Sequence, residues 1–257
     1  MTPLRVLGDD RALALAGPPG AEPAAGPAVH LGEPSTEPAP GDVVWLPGPA
    51  SEPPCAGVRL VATGGDALWS RAPWPARDEL FDLALPTDEC ALVVGADDAR
   101  RAVVVEKLEA RGRPVLVAPQ LSAGDLARVS VVALLGDADA PAPASPWSAR
   151  AMPAEAPAVL AARRVLVAPR CGLTFGLLPG SDHLAFGAED DVVSYIDAVL
   201  TFPQAFEPLP ALGALAAERH RASRVYARLA LELRAAADPA AADDPAAADP
   251  AAADPAG

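Results

Sequence analysis

The sequence predicts an α/β fold in which a parallel sheet carries helices on both faces, and two observations support this. Short all-apolar runs recur through the second half: ALVVG at 91–95, VLVA at 115–118, SVVALLG at 130–136 and VLVA at 165–168. Between them lie stretches whose apolar residues follow helical spacing. Strands buried on both faces read as continuous apolar runs, and their alternation with amphipathic helices is the pattern of parallel crossover units. The chain has 257 residues, 51% of them hydrophobic, which is enough for a sizeable core without disulfide or metal staples.

Residues 1–86 read as a reduced, proline-rich α/β half. Strand signals stand at LRVLG (4–8), DVVWL (42–46) and VRLVAT (58–63), the last stopping at Gly64-Gly65-Asp66, and a weaker one stands at FDLAL (81–85). Between residues 17 and 57 prolines are dense and DVVWL is the one recognisable strand. This half is too short for a full doubly wound domain, since each parallel crossover takes about 30 residues.

The pattern changes near residue 87, and residues 87–236 read as a Rossmann-like domain. After ALVVG, Asp97 or Asp98 is placed to cap a helix whose Val104, Val105 and Leu108 share a face. Gly112 and Pro114 stop it. Ser122 and Asp125 have the spacing of a capping box before the next strand. A helical segment follows near 154–163, although Pro153 and Pro157 are expected to break a helix there. HLAF (183–186) is a candidate fifth strand. Glu189, Asp190 and Asp191 then suit the first turn of a helix bearing Val192, Val193, Ile196, Val199 and Leu200. A last helix is expected over about 211–236, with Leu212, Leu215, Val225, Leu229 and Leu233 on one side and solvated Arg219, Arg221, Arg224, Arg228 and Arg234 on the other. Residues 237–257 are an Ala-Asp-Pro repeat, expected to be a disordered tail because proline interrupts any helix and only alanine is left to bury.

Charge narrows the function classes. The net charge is −14 and no segment has a basic excess, so a nucleic-acid partner is not expected. Cys55, Cys90 and Cys171 are odd in number and far apart, and His30, His183 and His220 are equally scattered. That fits neither a disulfide framework nor a zinc spacing, so no metal and no cofactor are expected. The N-terminus lacks a basic leader followed by a long apolar stretch, and no run approaches a membrane span, so the expected location is cytoplasmic.

The second half also resembles a known family. LVVGADDARRAVVVEKLEARG, then LSAGDLARVSVVALLG, then AVLAARRVLVAPRCGLTFGLLPGSDHLAFGAEDDVVSYIDAVL are similar, in that order, to the C-terminal, nucleotide-sugar-binding half of GT-B glycosyltransferases. The branch is the short spore-maturation (CgeB-like) one, and the likeness runs over residues 88–234. It implies two Rossmann-like domains facing a cleft, with the donor's nucleotide diphosphate held by the C-terminal one. In an open parallel sheet, ligands bind beyond the carboxyl ends of the strands at the switch in strand order. The loops after Gly95, Gly136 and Pro169 are therefore expected to meet at one sheet edge.

Gly95 opens a turn into a helix N-terminus suited to phosphate, and Arg100 and Arg101 add fork-shaped donors. The competing reading is that Asp97 and Asp98 cap that helix and the arginines are solvated. Gly172, Thr174 and Gly176 let backbone approach a phosphate or sugar, or else form an ordinary glycine-rich turn. Arg150 corresponds to an arginine ahead of the family's ALAAG helix, and Trp147 is a candidate for stacking on a base or sugar, or for packing alone. Against the family pattern, Ala158 stands where a ribose-holding glutamate belongs, Glu155 lies three residues early and Arg163 replaces a glycine. Asp66 is the candidate catalytic base, or else a turn residue after two glycines; His30 is a weaker one. Asp137-Ala138-Asp139 has the spacing of a metal motif but lies in a proline-rich loop, so the expected chemistry is metal-independent.

Two functions follow as expectations. One is sugar transfer from a nucleotide-sugar donor to an unidentified acceptor. The other is a non-catalytic relative that binds a nucleotide sugar or serves as the partner of another protein.

Overall fold

The structure is a computed structural model, and it describes residues 5–7, 13, 15, 28–31, 37–39, 42–45, 59–61, 74–86, 89–136, 153–170 and 177–237. Two parallel sheets organise it. The first is four-stranded, in the order β1 (Arg5–Leu7), β2 (Ala28–Leu31), β3 (Val43–Trp45), β4 (Arg59–Val61). The second contains β5 (Ala91–Val94), β6 (Val115–Ala118), β7 (Val131–Leu134), β8 (Val165–Pro169) and β9 (Leu184–Phe186). Its spatial order is β6-β5-β7-β8-β9, with every pairing parallel. This is the α/β parallel sheet that the apolar runs predict.

Helices α1 (Asp98–Glu109), α2 (Ala123–Leu126), α3 (Ala156–Ala161) and α4 (Glu189–Thr201) cover the second sheet. Because side chains alternate along a strand, Ala91 and Val93 pack with Val104 and Leu108 of α1 and Ile196 of α4. Leu92 and Val94 face the other way, towards Leu126 of α2 and Val159 and Leu160 of α3. The capping box forms: Ser122 Oγ accepts from the Asp125 N–H at 3.2 Å, and Asp125 accepts from the Ser122 N–H at 3.0 Å.

The proline-rich stretch hides one strand. Ala28–Leu31 is β2, fully buried, and its His30 ring lies 3.1 Å from the Asp42 carboxylate. Asp42 also accepts the N–H groups of Ala28 (2.7 Å) and Ala39 (2.9 Å), tying the start of β2 to the start of β3. FDLAL is not a strand. Residues Asp78–Asp82 form a 3-10 turn that buries the adjacent Leu80 and Phe81 together. Leu80 N–H donates to Arg77 O (3.1 Å) and Leu83 N–H to Leu80 O (3.4 Å), local bonds in place of a strand ladder.

Pro157 does not break its helix. It occupies the first turn of α3, where its missing N–H has no helical partner to lose. The helix ends in a Schellman motif: Arg163 N–H donates to Leu160 O (2.9 Å) and Arg164 N–H to Val159 O (3.2 Å). Arg163 takes φ +56, the left-handed geometry that a glycine would hold without strain.

The expected helix over 211–236 is interrupted. Helices α5 (Pro203–Phe206) and α6 (Pro208–Ala217) lead into a 3-10 turn, Glu218–His220, and then α7 (Ala222–Ala237). The break accommodates a second chain crossing. Ala76 N–H donates to His220 O at 2.7 Å and Ala222 N–H to Ala76 O at 2.8 Å, forming a short parallel bridge. His220, fully buried, places Nδ1 2.8 Å from Trp74 O.

The break also changes which residues are inside. On α6 Leu212 and Leu215 are exposed, while Leu209, Gly213 and Ala217 face inward. Arg221 is not a solvated arginine: it forks onto Glu218 and lies 3.9 Å above the Phe81 ring. Arg224 also reaches Glu218, at 3.4 Å. Beyond the break, α7 lays Ala222, Val225, Tyr226 and Leu229 on Val29, Leu31, Val43 and Trp45 of the first sheet. Trp45 meets Trp74 and Tyr226 edge to face, at 6.3 and 5.8 Å between ring centroids.

Candidate functional site at the carboxyl edge of the second sheet

The strand order puts the switch point between β5 and β7. β5 lies between the strand that follows it, β6, and the next but one, β7. The crevice beyond their carboxyl ends is where open parallel sheets take ligands. There β5 runs into Gly95, β7 into Leu135 and Gly136, and β8 ends at Pro169. The ends are packed closely. A Cβ on Gly95 would stand 3.1 Å from Leu135 Cβ, and one on Gly136, at φ +67, would stand 3.0 Å from Pro169 Cγ. The strand ends after Gly95 and before Arg170 therefore share one edge, as the alternating pattern requires.

Helix α1 brings the two arginines to this edge. Asp97 is its N-cap and accepts the N–H groups of Ala99 (2.9 Å) and Arg100 (3.1 Å), so those donors are already engaged. Arg101 is buried and folds back to donate to Gly95 O and the Asp98 carboxylate, leaving its Nε without a partner. Arg100 crosses the crevice. Its Nε and Nη2 lie 2.9 and 2.8 Å from Glu189 Oε1, Nη1 reaches Gly136 O at 3.3 Å and Nη2 reaches Leu135 O at 3.4 Å.

Of the two readings left open by the sequence, the cap is formed by Asp97, but the arginines are not free in solvent. They clamp the ends of β5 and β7. Glu189, at the first turn of α4, is held below the usual carboxylate range by its own backbone N–H and by Arg100. Asp191 closes the turn before α4 by accepting from Gly187 and Ala188, and those same N–H groups lower its carboxyl.

A groove of about 440 Å³ runs outward from the Arg100–Glu189 pair, between α1 and the start of α4. Ala99, Val103 and Ala188 line it with Lys107 and Asp190, which pair at 2.6 Å. Farther along the same helices, Arg113 and Arg111 both reach Asp197, at 2.6 and 3.2 Å. One helix supplies or leads to the cations and the other supplies the anions.

Gly95, Arg100 and Arg101 therefore come together. Asp66, Arg150, Gly172, Thr174 and Gly176 lie outside the described residues, as do Trp147, Asp137, Asp139 and the 238–257 repeat. His30 is committed to Asp42 in the first sheet. Ala158 is buried in the core beside Leu160, so its position offers no ribose contact. Glu155 stands just ahead of α3, at its N-cap.

Sequence reading missed two features. In the sequence Glu189 is an acid that favours a helix start, and only the packing of α4 beside α1 turns it towards Arg100. The other is a buried pair, His183 Nδ1 with Asp182 Oδ1 at 2.6 Å, in which Asp182 also accepts the Leu178 N–H at 2.7 Å. It fastens the turn into β9. The adjacent Asp-His letters were its only sequence signal.

Among the described residues, no group of three or more His, Cys, Asp or Glu is placed to hold a metal ion, and no helix is long and apolar enough to cross a membrane. No protein-family model and no curated protein matches the chain.

Proposed function

We propose that the chain is a glycosyltransferase-like protein that binds a nucleotide sugar at the carboxyl edge of the second sheet without transferring the sugar. One observation carries the reading: Arg100 spans the switch point, contacting the ends of β7 and the start of α4 from its place on α1. Once exchanged from Glu189, its Nε–Nη2 fork would meet a diphosphate arriving beyond β5 and β7. The ligand class comes from the resemblance of residues 88–234, because an α/β sheet alone does not dictate chemistry.

Binding without transfer is favoured by the reduced N-terminal half, residues 1–86, from which the family would draw its base. With Ala158 buried where the family pattern places a ribose-holding glutamate, and the first N–H groups of α1 engaged by Asp97, the diphosphate contact falls to Arg100. Transfer to an acceptor is the fuller reading, and it would draw its base from Asp66, outside the described residues. Such a non-catalytic module would act as a sensor or as the partner of a complete transferase.

Isothermal titration with UDP-, GDP- and TDP-sugars, followed by a donor-hydrolysis assay, tests this. The expected result is saturable binding to one nucleotide class, weakened at least about tenfold in Arg100→Ala, which is the equivalent of about 1.4 kcal/mol, and no hydrolysis. Hydrolysis that disappears in Asp66→Asn would overturn the non-catalytic reading in favour of transfer. Absence of binding to every donor would remove both.

A further inference from the structure

We propose that Glu189 is the built-in competitor for the anion position on Arg100, so that this site admits a phosphate dianion and turns away singly charged carboxylates. The inference rests on the reading of the switch point as a diphosphate site and adds the residue that sets its selectivity. Both fork edges of Arg100 are taken, and four of its five N–H groups are engaged. Glu189 takes Nε and one edge of Nη2, while Gly136 O and Leu135 O take Nη1 and the rest of Nη2.

The two carbonyls hold the guanidinium at the end of β7 whether or not a ligand is present. The carboxylate is different: it is a side chain on another helix and about two-fifths exposed. A ligand therefore gains the Nε–Nη2 fork of Arg100 only by replacing one carboxylate with something stronger. A second carboxylate exchanges like for like and gains nothing from Arg100. A terminal phosphate or pyrophosphate brings a higher charge and more acceptor oxygens to the same fork.

The surroundings sharpen the discrimination. Asp97 and Asp98 stand at the start of α1, and Asp190 follows Glu189 on α4. They repel any anion, so weak ones are not retained by general electrostatics. Lys107, the nearest further cation of the groove, is itself paired with Asp190. Arg100 is thus the point at which binding is decided, and Glu189 sets the threshold.

The test compares wild type, Glu189→Gln, Glu189→Ala, Arg100→Ala and Asp197→Asn by titration with inorganic pyrophosphate, UDP and acetate, with the fold of each variant checked by circular dichroism. Removing the competitor is expected to tighten pyrophosphate and UDP binding by about tenfold, a step of about 1.4 kcal/mol, and to let acetate bind measurably. Asp197→Asn removes the same charge from the same helix, away from Arg100, and is expected to change affinity by less than about twofold, since exposed charges beyond a Debye length are screened. Equal tightening in Asp197→Asn and Glu189→Gln would overturn the proposal, because net charge would then be the cause. Weaker binding in both Glu189 variants would also overturn it, by making Glu189 a positioning residue for Arg100. Unchanged Glu189 variants beside a weakened Arg100→Ala would sink the competitor and leave the site standing. No pyrophosphate or UDP binding in any variant would sink both.

Discussion

Two adjacent arginines after α3 show how differently one residue type can be used. Arg163 sits at φ +56 and closes the Schellman turn, with a long 3.4 Å contact from its side chain to Leu83 O. A side chain in the left-handed region is strained by about 1–2 kcal/mol, and glycine avoids that strain while losing more chain entropy on folding. Arg163→Gly should therefore stabilise the fold by about 0.5–1 kcal/mol, read as a higher urea midpoint at unchanged slope. Arg164, next along, is fully buried. It donates to Leu126 O at 2.6 Å and Ala84 O at 2.8 Å. Burial, with the Arg163 charge behind it, lowers its guanidinium to about 10. Arg164→Met leaves both carbonyls unpaired, which should destabilise by about 2–4 kcal/mol. Arg164→Lys should not restore the loss, because one ammonium cannot reproduce the fork between the two oxygens. Recovery to wild-type stability in the lysine variant would contradict that account.

At the scale of elements, what could be read in the letters depended on whether a segment's partners lay nearby in sequence. Strands β5, β6, β7 and β8 are continuous apolar runs, and the Asp97 cap and the Ser122–Asp125 box are settled within four residues. β2 was hidden because a histidine interrupts its four residues, and that histidine is acceptable only with Asp42 beside it. The break after α6 was hidden because its cause, the 74–77 segment, lies about 145 residues away. In the candidate site, Gly95, Arg100 and Arg101 were legible from the strand-to-helix turn, whereas Glu189 required the pairing of α1 with α4. The β2–β3 tie also has a measurable pH signature. Burial works to raise the Asp42 carboxyl, but the Ala28 and Ala39 N–H groups and the His30 ring outweigh it and hold it below the ordinary value. A depressed carboxyl adds stability above its unfolded value of about 3.9, and that stability is lost as pH falls through the folded value. Asp42→Asn must present an NH₂ to one of the two backbone donors, so it should destabilise at neutral pH by about 1–3 kcal/mol. It should also show a flatter loss between pH 5 and 3 than wild type in urea titrations. Parallel acid limbs in the two proteins would count against Asp42 as the group responsible.

At the scale of the whole molecule, the two sheets are joined by crossings that run side by side, Trp74–Arg77 against His220–Ala222. The second crossing delivers α7 to the first sheet, where Val225, Tyr226 and Leu229 cover Val29, Leu31 and Trp45. Burial also pushes the Tyr226 phenol up. Truncation after Arg221 should therefore act far from the cut. The near-ultraviolet circular dichroism of the Trp45–Trp74–Tyr226 cluster should vanish, while the far-ultraviolet signal of the second sheet and its helices largely persists. An intact aromatic signal in the truncated chain would show that the first sheet closes its core without α7.

That arrangement also sets an order of events during synthesis. Trp45 leaves the ribosome roughly 180 residues before α7 does, a delay on the order of ten to thirty seconds at about 5–20 residues per second. Through that interval the inner face of β2 and β3 lacks the cover that Ala222, Val225, Tyr226 and Leu229 supply. The nascent chain thus keeps part of an aliphatic and indole surface uncovered until α7 is made, and slowing elongation should lengthen that exposure in proportion.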